Sequence, residues 1–187
     1  MPISLTELAT AHNHQRCTVA QNSVRLVTLL TFGPKETHAL GQWIGARLPD
    51  DAVVGLDGTL GTGKTCFVQG LAHGLGVPAD THVTSPAYNL IQTYMIDQQK
   101  LTHIDFYRLP SLSVDDFMLF EEAFLGPRNI VVAEWASGFI ENFAPEPLHI
   151  MISKEPEENT RRIKVSSSSS TYAQLLNKLS DYANIDN

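Results

Sequence analysis

Gly58-Thr59-Leu60-Gly61-Thr62-Gly63-Lys64-Thr65 fits the pattern G-x-x-x-x-G-K-[ST] at every fixed position. The compact apolar run Ala52–Leu56 precedes it. A helix-compatible segment through Phe67, Leu71 and Leu75, closed by Gly76 and Pro78, follows. Strand, glycine-rich loop and helix in that order make an anion cradle. Glycines reach backbone conformations closed to other residues, so successive N–H groups can turn inward on a phosphate. The helix points the positive end of its dipole at the same place. In this pattern Lys64 reaches the β- and γ-phosphates and the Thr65 hydroxyl can ligate Mg2+. The stretch therefore predicts a Mg-ATP site lined by Leu60, Gly61, Thr62, Gly63, Lys64, Thr65 and Cys66.

Working outward, Val24–Leu30 is a β-branched and aliphatic run that reads as a strand. Pro34–Arg47 reads as a helix, with Glu36 in its first turn and Leu40, Trp43, Ile44 and Leu48 at helical spacing. Tyr88–Ile96 and Leu101–Tyr107 read as strands joined in a hairpin across Asp97–Lys100, and Val114–Leu125 as an acidic helix. Ile130–Glu134 is a second buried strand, and Leu148–Ser153 and Arg162–Val165 are expected to pair at a sheet edge. Ser166–Ser170 reads as a flexible link and Thr171–Tyr182 as a final amphipathic helix. Alternating strands and helices predict one α/β domain over 23–187, a three-layer P-loop NTPase-like fold with a mainly parallel central sheet. Residues 1–22 show no sustained period and are expected to be a loosely attached extension, with a short helix after Ser4.

Magnesium nucleotide chemistry needs a carboxylate near the metal, and often another to orient the attacking water. Asp105, in His103-Ile104-Asp105-Phe106-Tyr107-Arg108, and Glu134, closing Ile130-Val131-Val132-Ala133-Glu134, end strand-like runs. In open α/β sheets the carboxyl ends of strands surround the ligand crevice. Asp105 and Glu134 are thus the candidate catalytic and metal-binding acids beside Lys64 and Thr65. The sequence leaves open which holds the metal. Asp105 is expected to act through the metal's water shell, and Glu134 as metal ligand or catalytic base.

Composition narrows the setting. The chain has 187 residues and a net charge of −7, which argues against broad nucleic-acid binding through clustered Lys and Arg. No apolar run approaches a membrane span, and the first twenty residues lack a secretory pattern. Two cysteines, Cys17 and Cys66, give neither a disulfide framework nor metal-ligand spacing, so a cytoplasmic setting is expected.

Three further blocks follow the phosphate loop in order: Val83-Thr84-Ser85-Pro86-Ala87-Tyr88, His103–Arg108 and Val132-Ala133-Glu134-Trp135. Over about Val24 to Val165 the chain resembles the TsaE family, ATPases of tRNA threonylcarbamoyladenosine biosynthesis. The resemblance implies a P-loop fold and slow ATP hydrolysis. It also implies work with a TsaB–TsaD pair that modifies adenosine 37 of tRNA, so that tRNA is met only through that pair. It matches Lys64 and Thr65 to the phosphate-loop pair, Asp105 and Glu134 to the two acids, and Trp135 to the tryptophan beside the second acid. Thr84 and Ser85 match a switch-like loop near the γ-phosphate, Pro34, Glu36 and Thr37 a nucleotide-edge region, and Arg161 a nucleotide-contacting arginine. Thr59, Thr62, Cys66 and Ala87 depart from the family pattern, which usually has an acid, Ala, Thr and Thr there.

The remaining features have plainer readings. His103 is expected to pack beside Tyr107 rather than to act in catalysis, and Trp135 to stack on a nucleotide or partner or else pack in the core. Arg108 is expected to clamp phosphate or pair with an acid, and Glu121-Glu122 to face solvent rather than touch a partner. Two other functions fit a phosphate loop. A small-molecule kinase would need an arginine-rich lid, which no arginine cluster beyond Arg161-Arg162 supplies. The other is a non-catalytic nucleotide switch that binds partners; a guanine-specific one would carry N-K-x-D, which Asn177-Lys178-Leu179-Ser180 fails at its last position.

Overall fold

Among the described residues, seven strands form one sheet in the order β1-β7-β6-β2-β5-β4-β3. The computed structural model describes residues 24–185, so the extension expected over 1–22 and its short helix lie outside the described residues. In chain order the strands are β1 Arg25–Thr31, β2 Val53–Asp57, β3 Ile91–Ile96, β4 Gln99–Asp105, β5 Asn129–Glu134, β6 Leu148–Lys154 and β7 Arg161–Ser167. The helices are α1 Pro34–Gly45, α2 Lys64–Leu75, α3 Val114–Phe124 and α4 Ala173–Ile185, with 3-10 turns at Ile140–Asn142 and Ser170–Tyr172.

The parallel character expected of the sheet holds at its centre, where β6, β2, β5 and β4 all run the same way. The three outer pairings, β1–β7, β7–β6 and β4–β3, are antiparallel, so the whole sheet is mixed. Connection length explains the difference. β3–β4 and β6–β7 are joined by short turns, which permit only antiparallel neighbours, whereas parallel strands need long crossovers. β6 and β7 pair as expected but not at an edge, because β1 adds outside β7 and leaves β1 and β3 as the open edges. The serine run read as a flexible link carries structure. Ser166 and Ser167 extend β7 opposite Leu26 and Arg25, and Ser170 opens the last 3-10 turn.

Strand alternation sorts side chains onto two faces. In β5, Ile130 and Val132 join the core beneath α1, α2 and α4, while Val131 and Ala133 join a second cluster with Phe106, Phe120 and Ile140. The sheet is therefore the middle of three layers. β3 starts at Ile91 rather than Tyr88, because Pro86–Leu90 folds into a turn closed by the Leu90 N–H on the Pro86 carbonyl at 2.7 Å. β4 stops at Asp105, whose carboxylate takes the Tyr107 N–H at 2.9 Å. α3 is opened by a reciprocal Ser113–Asp116 capping box.

α1 and α2 meet backbone to backbone. Gly41 and Gly45 on α1 and Gly70 and Gly74 on α2 repeat at a spacing of four, which puts each pair on one face. A Cβ on Gly70 would lie 1.9 Å from the His38 carbonyl oxygen, and one on Gly41 would lie 2.3 Å from that of Phe67. Across the same seam His38 Nε2 and His73 Nδ1 are 3.0 Å apart.

Alanine improves a helix over glycine by up to about 1 kcal/mol in isolation. Here the clash reverses the sign, and Gly70→Ala is expected to destabilise the protein by about 1–3 kcal/mol in urea denaturation. Burial, and then the neighbouring His73, hold the His38 imidazole below its ordinary pKa. The unfolded chain therefore takes up that proton first as pH falls. The contribution of His38 is full above its unfolded pKa of about 6.5 and is lost as pH drops below it. Denaturation curves measured on either side of pH 6.5 should show that loss, and His38→Gln should reduce it.

Candidate functional site

The loop from Gly58 leaves the C-terminal end of β2 and enters α2 at Lys64. Gly58 is required by space, since a Cβ there would stand 2.3 Å from the Ile152 carbonyl oxygen. Gly63, at φ 104, is the N-cap of α2 and offers no side chain to its first N–H groups. Those donors, with the helix dipole behind them, are left facing the loop. Thr62 closes the loop on itself, its hydroxyl donating to the Thr59 carbonyl at 2.9 Å. Arg161, at the start of β7, donates through Nε to the Thr62 carbonyl at 2.9 Å. The Cys66 thiol meets the Pro34 carbonyl at 3.3 Å, and burial pushes that thiol's pKa up. The Thr37 methyl lies 3.8 Å from where a Gly63 Cβ would stand, and the Thr37 hydroxyl is fixed by Thr31 at 2.8 Å. Pro34, Thr37 and Arg161, expected from resemblance alone, thus all border the loop. Leu60 projects outward.

Lys64 turns back into the loop, donating to the Gly58 carbonyl at 2.7 Å and the Thr59 carbonyl at 3.3 Å. Burial lowers its pKa, and the carboxylates of Glu134, Asp105 and Asp57 oppose that effect. Asp105 and Glu134 are register partners at the ends of β4 and β5, and both are buried. The Thr65 hydroxyl donates to Glu134 Oε1 at 3.3 Å. Ser85, from the loop before β3, donates its hydroxyl to the Asp105 carboxylate. Gln69 of α2 anchors that loop through the Val83 carbonyl at 2.9 Å, leaving Thr84 exposed beside Ser85. The structure therefore brings Lys64, Thr65, Ser85, Asp105 and Glu134 to one place.

Several contacts were not anticipated. His103 does not pack on Tyr107. It is fully buried, and its Nε2 meets Glu134 Oε1 at 3.1 Å while Nδ1 has no partner. Strand parity carried the signal, because His103 shares a face with Asp105 two residues on. Asp57, directly before the loop, accepts from the Ser137 N–H at 3.1 Å and the Ser137 hydroxyl at 2.8 Å. Trp135 adopts φ 57, a left-handed conformation that costs about 1–2 kcal/mol outside glycine. Its ring lies 3.9 Å from the Lys64 ammonium and 4.9 Å from the Tyr107 ring. Arg108 lies over the Tyr88 ring at 4.0 Å, and no ion pair among the described residues includes it.

The donor set suits a magnesium nucleotide. Among the described residues no group of three or more His, Cys, Asp and Glu side chains encloses a metal. Thr65, Asp105 and Glu134 instead offer one hydroxyl and two carboxylates, as expected for a Mg2+ that takes its other ligands from phosphate and water.

A glycine-rich loop between a central parallel strand and a helix, flanked by acids on the two neighbouring strand ends, defines a P-loop NTPase-like fold. Residues 32–163 match the family model described as "Threonylcarbamoyl adenosine biosynthesis protein TsaE". The chain belongs to the TsaE family. It is 34% identical over 157 residues to the tRNA threonylcarbamoyladenosine biosynthesis protein TsaE of Bacillus subtilis, covering 84% of this chain and 96% of that one. The protein of the same name from Aquifex aeolicus is 33% identical, over 70% of this chain and 89% of its own length. The crystal structure of Bacillus subtilis YdiB superposes with a TM-score of 0.69 at 30% identity, covering 86% of this chain and 98% of that chain.

The contact between Lys64 and Trp135 gives an optical readout. Adding a nucleoside triphosphate is expected to draw the ammonium off the ring and change tryptophan emission. Trp135→Phe should abolish the change, since the other tryptophan, Trp43, is a buried core residue of α1. Unaltered emission in the parent protein at saturating nucleotide would mean that Lys64 stays where it is.

Proposed function

We propose that the chain is a Mg2+-dependent ATPase of the tRNA threonylcarbamoyladenosine pathway, acting in the cytoplasm with a TsaB–TsaD pair and meeting tRNA only through it. The convergence of Lys64, Thr65, Asp105 and Glu134 on the phosphate loop carries this reading. Bound Mg2+ would neutralise charge on the phosphates and on the leaving group. Lys64 exchanges its two loop carbonyls for β- and γ-phosphate oxygens, and the uncapped N–H groups of α2 complete the cradle. Glu134 serves on the metal side with Thr65, whose hydroxyl already touches it. Asp105, fixed by Ser85 and the Tyr107 N–H, would hold a bound metal through its water shell and orient the attacking water. The His103 contact keeps the Glu134 carboxylate from turning away. A rigid carboxylate loses less to reorganisation at the moment of reaction.

Two variants separate binding from chemistry. Lys64→Ala is expected to abolish measurable ATP binding in equilibrium titration, and unchanged affinity would refute the phosphate-loop assignment. Glu134→Ala should still bind ATP while Mg2+-dependent hydrolysis falls by about 10²-fold or more. Full activity in that variant would remove Glu134 from the machinery. Hydrolysis by the parent chain is expected to rise when the TsaB–TsaD pair is added.

A further inference from the structure

Among the described residues, α3 is the helix whose apolar side chains mostly face outward. Only Phe120 of its eleven residues is fully buried, whereas Val114 is 78% and Met118 63% exposed. Val114, Met118 and Leu125 recur at spacings of four and seven and so form one stripe along the helix. Beside the stripe runs a groove of about 740 Å³ walled by Pro110, Leu112, Phe117, Met118, Ser137 and Phe139. Its two walls are the chain segments that directly follow Asp105 and Glu134. Ser137, which lines the groove, holds the Asp57 carboxylate at the entrance of the phosphate loop through both its N–H and its hydroxyl.

Charge decides what this face receives. Neither Leu109–Pro127 nor Ile130–Ser153 contains a Lys or Arg, while Asp115, Glu121, Glu122 and Glu141 are exposed on those segments. Lys100 comes near at the far end, where it reaches the Leu125 carbonyl. RNA phosphates would be repelled. A second copy meeting the same face across a two-fold axis would set Asp115, Glu121 and Glu122 against one another. Residues 1–23 carry one Glu and one Arg, with no basic flank to offer.

We infer that the α3 stripe and its groove are the docking surface for a protein partner that presents an apolar ridge flanked by Lys or Arg side chains. The inference deepens the partner-dependent ATPase reading above and rests on it. A partner seated there touches the segments behind both acids and, through Ser137, the start of the phosphate loop. Docking and hydrolysis are therefore coupled by direct contact.

The test uses the full chain and the TsaB–TsaD pair, with affinity measured by calorimetry and hydrolysis assayed with and without the pair. Met118→Glu and the double variant Glu121→Lys, Glu122→Lys are expected to weaken association at least tenfold and to remove the stimulation. Basal hydrolysis should stay at the parent level, because none of these residues touches the nucleotide site. Met95→Glu, equally exposed on the β3 edge, should associate like the parent. If the parent binds the pair and the α3 variants bind it equally well, the docking surface is wrong and the ATPase reading stands. If the parent does not bind the pair at all, both the proposed partner and this surface fall. A parent dimer dispersed by Met118→Glu would assign the face to a second copy instead.

Discussion

The parallel register of β2, β5 and β4 governs the rest of the molecule. Leu56 lies opposite Glu134, and Glu134 lies opposite Asp105, so three neighbouring strands end level with one another. The phosphate loop must leave at that level, and α2 must start there, which sets the Thr65 hydroxyl against Glu134. A slip of one residue in either ladder would send Glu134 or Asp105 to the opposite face. The dense apolar content of β5, buried along its whole length, holds that register in place.

A second constraint acts from above. α2 carries Lys64 and Thr65 on its first turn, so any tilt of the helix moves both away from Glu134. The glycine seam with α1 removes the room for such a tilt, because backbone rests on backbone with no side chain between to yield. Four glycines in two helices weaken each helix by itself. Their close approach brings Pro34 and Thr37 against Cys66 and Gly63, so α1 borders the glycine-rich loop as well as packing on α2.

Much of this was legible in the residues. The phosphate loop was readable because its glycines and lysine are dictated by chemistry, and the central strands because they are short apolar runs ending in an acid. The outer sheet was harder, since β1 and β7 look alike whether they sit at an edge or inside it. Only the hydrogen-bond ladders place β7 between two neighbours. The serine run misled because composition reports flexibility, whereas pairing with β1 supplies a use for each backbone group. His103 was misread because its neighbour in sequence, Tyr107, is not its neighbour in space. The glycines at 41, 45, 70 and 74 passed without notice because a four-residue spacing has meaning only once a second helix is known to carry the same.

Lys64 supplies a last consequence. Before any nucleotide arrives, its ammonium is solvated from within by two loop carbonyls and the face of Trp135. The lysine therefore acts as a tethered competitor for its own site, present at a fixed effective concentration. On the nucleotide-binding reading proposed above, an incoming triphosphate would have to displace those contacts, and its apparent affinity would be reduced by the fraction of molecules in which the lysine is free. Whatever shifts the Trp135 ring, a residue held in a strained left-handed conformation two positions from Ser137, resets that fraction. On that same reading, the loop would carry a threshold for nucleotide set by contacts that do not themselves touch phosphate.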